Sequence, residues 1–286
     1  MLIERIDDPG DPRLADYRDL KDAERRRRQG LFIAESREVV RRLLSGGRFR
    51  ARSVLLTPPG LEALRDALTA GQPGVRVLVT RQEIVRAVVG YDFHRGCLAV
   101  GERGSEPSPP ALIDPTGPRL VLGLEDLTNP DNVGGVFRNA LAFEVDGVLL
   151  SAACADPLYR KTIRVSVGGS LCVPFARTDD WPGALNALRG GGYTVIALTP
   201  RQGTVDIAEF GASRPIPERA ALLLGSEGAG LSAEARMAAD VEVRIPMAPG
   251  VDSLNVATAC GIALHRLRRS LAPLPGEGAA PMRTPG

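Results

Sequence analysis

The chain has 286 residues, 44% of them hydrophobic, and a formal net charge of +2, enough apolar material for two compact domains with cores of their own. That charge is too small to announce a nucleic-acid partner by itself, and no apolar stretch reaches the roughly 20 residues of a membrane span. The opening MLIERIDDPGDPR lacks the apolar core of a secretory signal, so the expectation is a cytoplasmic protein without membrane contact.

Arginine carries almost all of the positive charge, with Lys21 and Lys161 the only lysines. Bidentate phosphate contacts favour arginine, and so does a GC-rich genome; both readings stay open. In chain order, Leu31 to Ala34, Ser53 to Thr57, Val75 to Val79 and Cys97 to Val100 read as strands. They alternate with helical patterns at Ser36 to Leu44 and Leu61 to Leu68. This predicts a small α/β domain over residues 1–103. Within it, Arg25, Arg26, Arg27 and Arg28 form either a phosphate-contacting patch or a solvated turn of helix balanced by Asp22 and Glu24.

The stretch GSEPSPPALIDPTGP, residues 104–118, concentrates Pro, Ser and Gly and predicts an interdomain linker. Beyond it, strands at Leu120 to Leu124, Gly147 to Leu150, Tyr193 to Leu198 and Ala221 to Leu224 alternate with helices. The pattern predicts a largely parallel sheet covered on both faces, over residues 119–272. A last helix is expected over Ser253 to Arg269, and the Pro-, Gly- and Ala-rich residues 273–286 are expected to be disordered. Cys97, Cys154, Cys172 and Cys260 are dispersed with no C-x-x-C pair, which predicts buried free thiols and no metal site. His94 and His265 have no recognisable partner in the sequence, and neither is given a catalytic role.

Three segments carry chemistry. The first, NPDNVGGVFRNALAF from Asn129 to Phe143, follows a strand and opens a helix, where open α/β sheets build ligand sites. Asn132, Gly135 and Arg138 recur at one-turn spacing, so they are expected on one face; alternatively Asn129 and Asn132 cap the helix and Arg138 is solvated. The second, LLLGSEGAGLS from Leu222 to Ser232, runs a strand into a Gly-rich turn with one acid, Glu227. No G-K-[ST] follows and the spacing is not G-x-G-x-x-G, which speaks against a nucleotide phosphate and against a dinucleotide-dependent oxidoreductase. A plain turn with Ser232 as helix cap is the alternative. The third, from Ile245 to Leu267, places Pro246, Gly250, Ser253 and Asn255 at the entry to the last helix. Its hydroxyl and amide groups either contact a ligand or cap that helix.

Taken together, N-x-x-N-x-G-x-x-x-R, G-S-E-G-x-G-L and I-P-M-x-x-x-x-x-S-L-N-V resemble, in order and spacing, the three motifs of SpoU/TrmH-type RNA 2'-O-ribose methyltransferases of the SPOUT superfamily. The match covers most of residues 119–270. Arg164, Ser166 and Gly168 fit the segment between the first two motifs. The resemblance implies an α/β fold with a trefoil knot, S-adenosylmethionine as cofactor and a homodimer. It places the cofactor around Leu224, Gly225, Gly230, Ile245, Met247, Ser253 and Leu254. It assigns the chemistry to Arg138, with Asn132, Glu227, Ser253 and Asn255 shaping the site, and leaves open whether Arg138 is base or phosphate clamp. The N-terminal segment Asp19 to Leu44 resembles the ribosomal-protein-like substrate-binding domain of such enzymes, which would put Arg25 to Arg28 on RNA; Arg164, between the first two motifs, is also expected on RNA. Ribosomal RNA is expected before transfer RNA; a non-catalytic RNA-binding protein on the same fold is the alternative from another class.

Overall fold

The computed structural model describes residues 3–18, 20, 23–93, 96–113, 117, 119–210 and 217–270; the side chains of residues 23, 25, 26 and 268–270 lie outside that description. The expectations for His94 and for residues 273–286 therefore fall outside the described residues, as do the side chains of Arg25 and Arg26.

The N-terminal part runs β1 (Ile3–Arg5), a 3-10 turn at Pro12–Tyr17, α1 (Ala23–Arg28), β2 (Leu31–Glu35), α2 (Arg37–Ser45), β3 (Arg50–Leu56), α3 (Pro58–Ala70), β4 (Arg76–Val79), α4 (Gln82–Val89) and β5 (Cys97–Glu102). Its five-stranded sheet has the order β1-β4-β3-β5-β2, with β5 antiparallel to both neighbours. Ser36 caps α2 and Thr57 caps α3, each accepting from the backbone N–H three residues on.

After α5 (Pro109–Ile113), the chain continues through β6 (Leu120–Leu124), α6 (Pro130–Ala142), β7 (Gly147–Ser151), α7 (Arg160–Val165), α8 (Gly169–Cys172) and β8 (Phe175–Thr178). It ends with α9 (Trp181–Gly190), β9 (Thr194–Leu198), β10 (Val205–Asp206), β11 (Ala220–Leu224), α10 (Ala233–Ala238), β12 (Val241–Arg244) and α11 (Val256–Ser270). The seven strands pair in the order β10-β12-β9-β11-β6-β7-β8, every pair parallel. Both faces are covered, and strand residues alternate between two cores. Leu120, Leu122 and Leu124 of β6 belong to one, with Phe137, Ala140 and Leu264. Val121 belongs to the other, with Leu185, Leu188 and Leu223. A strand buried on both sides has to read as a continuous apolar run.

The first of these cores continues into the N-terminal sheet through Phe32, Val54, Leu56 and Ala99, so the two sheets share apolar packing. Polar anchors cross the same boundary. The Arg48 guanidinium donates to the carbonyls of Val173 and Phe175 and lies over the Phe49 and Phe175 rings. Arg103 makes two hydrogen bonds to Asp156, at 2.7 and 2.9 Å.

Two expectations need correction, and the expected linker gains a helix that was not foreseen. The segment expected as linker contains α5, whose Leu112 and Ile113 are buried against Val121 and Leu149. The last helix begins at Val256 instead of Ser253, because the Asn255 side chain caps it by accepting from the N–H of Ala257 at 3.0 Å. Cys172 is exposed, whereas Cys97, Cys154 and Cys260 are buried free thiols.

Candidate active site

Because all seven strands of the larger sheet run parallel, their carboxyl ends share one edge, where loops and helix N-termini meet. There the loops after β9, β11 and β12, with the entry to α11, surround a cavity of about 680 Å³, well inside the roughly 300–1,000 Å³ of small-molecule sites. Each wall follows from its sequence. After β11, the backbone doubles back so tightly that a Cβ on Gly225 would overlap the backbone of Gly230 and Leu231. Gly228 and Gly230 take φ of +96° and +69°, which side-chain-bearing residues resist. After β12, Pro246 ends the strand by removing a ladder donor, and Gly250 turns the chain at φ +83°.

The cavity wall includes Leu224, Gly225, Glu227 and Gly230 from the second motif segment. Ile245, Met247, Ser253, Leu254 and Asn255 come from the third. Leu198, Thr199 and Pro200 after β9, and Asp252 before the last helix, also line it; sequence reasoning did not single these out. The only signal for the β9 contribution was a strand running into the polar turn TPRQG. Among the described lining residues the ionisable groups are Glu227 and Asp252, and no arginine, lysine or histidine takes part.

Asn255 joins the three motif segments. Its Oδ1 accepts the helix-capping N–H groups of Ala257 and Thr258, which leaves its Nδ2 to donate to Asn132 Oδ1 at 2.9 Å and to Glu227 Oε1 at 3.4 Å. Asn132 is 5% exposed, so without Asn255 its amide oxygen would be buried unpaired, a cost of about 1–3 kcal/mol. Helices α6 and α11 approach closely here. A Cβ on Gly135 would stand 2.6 Å from Ala257 Cβ, and Asn139 Nδ2 donates to the Ala257 carbonyl at 2.6 Å. Burial pushes the neighbouring Cys260 thiol well above its ordinary range, the Asn139 contact offsetting part of that. It stays protonated and unreactive at neutral pH.

Arg138 departs from the expected common face. Asn132 points to Asn255 and Gly135 to Ala257, but Arg138 is exposed and does not line the cavity. Each three-residue step on an α-helix falls about 60° short of a full turn; two steps carry Arg138 about 120° from Asn132. Arg164 on α7 is exposed, and so are Arg27 and Arg28 on α1, with Arg28 paired to Glu24 at 3.2 Å. Ser166 is buried, donating to the Ile163 carbonyl at 3.0 Å, and Gly168 takes φ +79°. Both shape the α7–α8 turn. No group of three or more His, Cys, Asp or Glu among the described residues is placed to hold a metal ion, and no described helix is long and apolar enough to cross a membrane.

The chain is similar to known proteins in sequence and in fold. The model of the SpoU rRNA Methylase family matches residues 119–265. An uncharacterized tRNA/rRNA methyltransferase of Mycobacterium tuberculosis is 41% identical over 94% of this chain and 92% of its own. A 23S rRNA (guanosine-2'-O-)-methyltransferase of Ralstonia nicotianae is 32% identical over 75% of this chain and 85% of its own. Among solved structures, the AdoMet-bound rRNA methyltransferase of Sinorhizobium meliloti superposes with a TM-score of 0.76 at 26% identity, covering 95% of this chain and 99% of that one.

Proposed function

We propose that this chain, which belongs to the SpoU rRNA methylase family, transfers a methyl group from S-adenosylmethionine to the 2'-hydroxyl of one ribose in a structured RNA, ribosomal RNA ahead of transfer RNA. The observation that carries the reading is the convergence of the second and third motif segments on one cavity, with Asn132 of the first tied to them through Asn255. The 2'-O position and the ribosomal substrate rest on the Ralstonia relative.

The cavity suits this cofactor on its own chemistry. Leu198, Leu224, Ile245, Met247 and Leu254 offer apolar contact to a flat base, while Glu227 and Asp252 favour a cation over an anion; a nucleotide polyphosphate would meet two carboxylates and no cation. When bound, the cofactor would supply a sulfonium-activated methyl group, the S–CH3 bond breaking to a thioether as the O–CH3 bond forms, and the ribose hydroxyl proton would pass to a neighbouring RNA phosphate or to water. The protein's part is placement. Asn255 and Glu227 hold the cavity rim, and Ser253 offers a hydroxyl at the mouth. Arg138, exposed on α6, clamps a phosphate next to the target ribose through the bidentate fork of its guanidinium. Arg27, Arg28 and Arg164 extend the same electrostatic contact, and the N-terminal sheet carries it toward the rest of the RNA. The working unit in this proposal is a homodimer in the cytoplasm, in which a second copy covers the face of α11 where Ile262 is 38% exposed.

Nucleoside mass spectrometry on RNA from cells lacking the protein should show one missing 2'-O-methylated residue, restored by the wild-type gene and not by Arg138→Ala. Calorimetry should find S-adenosylmethionine affinity of Arg138→Ala within about twofold of wild type. An unchanged methylation map, or full turnover by that variant, would reject the proposal.

A further inference from the structure

One buried carboxylate near the cavity belongs to none of the motif residues above. Glu125 is the first residue past β6, and its side chain is buried, at 7% exposure. Its Oε2 accepts the Ser232 backbone N–H and its Oε1 accepts the Ser232 hydroxyl, both at 2.8 Å. The Glu125 backbone N–H donates in turn to the Leu224 carbonyl at 2.9 Å.

Leu224 and Ser232 are the two ends of the Gly-rich loop. Between them the chain folds on itself, with Gly230 N–H donating to the Ser226 carbonyl at 3.0 Å and Gly225 packed against Gly230. Glu125 therefore holds both ends of a loop whose middle forms a cavity wall and presents Glu227 to Asn255. The next residue fixes Glu125 from the other side. Asp126 takes φ +56°, a left-handed turn that Asp tolerates better than most residues. It is locked there by Ser151, whose Oγ accepts the Asp126 N–H at 2.9 Å and donates to its Oδ1 at 2.7 Å. The grip is rigid at its base, and a charge-assisted pair of hydrogen bonds is stronger and more directional than neutral ones.

We infer that Glu125 is a positioning residue: through Ser232 it holds the Gly225–Leu231 loop in the shape that binds S-adenosylmethionine. The inference rests on the assignment of that cofactor to the cavity. Ser232 is well suited to pass the constraint on, because its hydroxyl also accepts the Ala235 N–H at 3.0 Å and so ties the loop exit to α10. Without the carboxylate, Ser232 keeps its cap but the loop's exit is free to swing away from Leu224. A freed loop has to be ordered by the ligand, and affinity drops by the fraction of time the competent shape is populated.

The test is calorimetric titration of the full-length wild type, Glu125→Ala, Glu125→Gln and Ser232→Ala with S-adenosylmethionine, reading dissociation constant and stoichiometry separately, with melting temperatures recorded. Glu125→Ala should raise the dissociation constant about tenfold at unchanged stoichiometry. Glu125→Gln can still accept the Ser232 N–H and should lie between that and wild type. Ser232→Ala keeps its backbone N–H on the carboxylate and should also lie between, while the double variant Glu125→Ala with Ser232→Ala should match Glu125→Ala within about twofold, because the hydroxyl acts on the loop through that carboxylate. A merely structural role predicts another pattern: lower melting temperature and lower stoichiometry, with the dissociation constant of the folded fraction unchanged. That result would overturn the inference while leaving the cofactor assignment intact. Failure of the wild type to bind S-adenosylmethionine would remove the assignment and the inference with it. Should Glu125→Ala not fold, an unchanged dissociation constant in Glu125→Gln and Ser232→Ala overturns the inference equally.

Discussion

Gly135→Ala tests how closely α6 and α11 must pack for the site to exist. The added Cβ would stand 2.6 Å from Ala257 Cβ, whereas carbon atoms in contact prefer about 3.5–4.0 Å, so the helices must part by roughly 1 Å. Overpacking of that size costs about 1–3 kcal/mol, and the better helix propensity of alanine returns up to about 1 kcal/mol. A net loss near 1 kcal/mol lowers the melting temperature by about 2–4 °C. The effect on activity should be larger. The Asn255–Asn132 hydrogen bond, 2.9 Å long, spans the same gap, and a 1 Å opening takes it beyond hydrogen-bonding range. Methyl transfer to RNA in vitro should therefore fall at least tenfold in a protein that remains folded at 25 °C. Adding Ala257→Gly removes the opposing Cβ and should restore most of the activity at some cost in helix stability. Wild-type activity in Gly135→Ala, or no recovery in the double variant, would refute the reasoning.

Arg48→Ala removes two carbonyl contacts and the packing on Phe49 and Phe175. Charged hydrogen bonds count for about 1.5–3 kcal/mol, so denaturant melts should show a loss of about 2–4 kcal/mol. Burial pushes this guanidinium down to about 10, which leaves it charged at neutral pH. For Asp156, burial acts upward, but the Arg103 hydrogen bonds and charge outweigh it and the carboxyl lies below its ordinary range. Its stabilising contribution is complete above the unfolded value of about 3.9 and is lost as pH falls through the lower folded value. Asp156→Asn should consequently be less stable than wild type at pH 7 and converge with it at the acid end of a pH series of melts. Replacing Arg27 and Arg28 by alanine should weaken RNA binding and reduce the slope of log K against log salt by about 1–2, measured by filter binding; an unchanged slope would remove them from the RNA path.

The strands that were legible in the sequence are those buried on both faces, such as Leu120–Leu124 and Ala220–Leu224, whose five residues are all buried. Those that were not are short or at margins. β1 is three residues, alternately exposed and half-buried; β12, VEVR, alternates buried and half-buried over only four positions. In such windows tertiary pairing decides, and periodicity carries too few repeats to register. The helix α5 inside the segment expected as linker went unread for a related reason. Its prolines mark a loop in isolation, yet Pro109 and Pro110 also suit a first helical turn, and Leu112 and Ile113 had an apolar surface waiting. In the site, the motif residues were visible because they cluster along the chain. Glu125 was not, since its partner Ser232 is 107 residues away and nothing local marks a carboxylate at a strand end as buried.

Arg138 shows where one-dimensional spacing misleads about function. Three-residue steps kept Asn132 and Gly135 facing α11, and the accumulated rotation of about 120° then turned Arg138 out to solvent. A residue inside the cavity would compete with cofactor for space and would be a poor proton acceptor there. On the proposed function, an arginine exposed to solvent meets a phosphate that arrives with the RNA, and its contribution rises only as substrate docks. The distinction is measurable: a phosphate clamp leaves cofactor affinity untouched in Arg138→Lys while raising the RNA KM, because lysine keeps the charge and loses the bidentate fork. A residue acting on the hydroxyl itself would instead lower kcat with little change in RNA KM, and that outcome would return Arg138 to the chemical step.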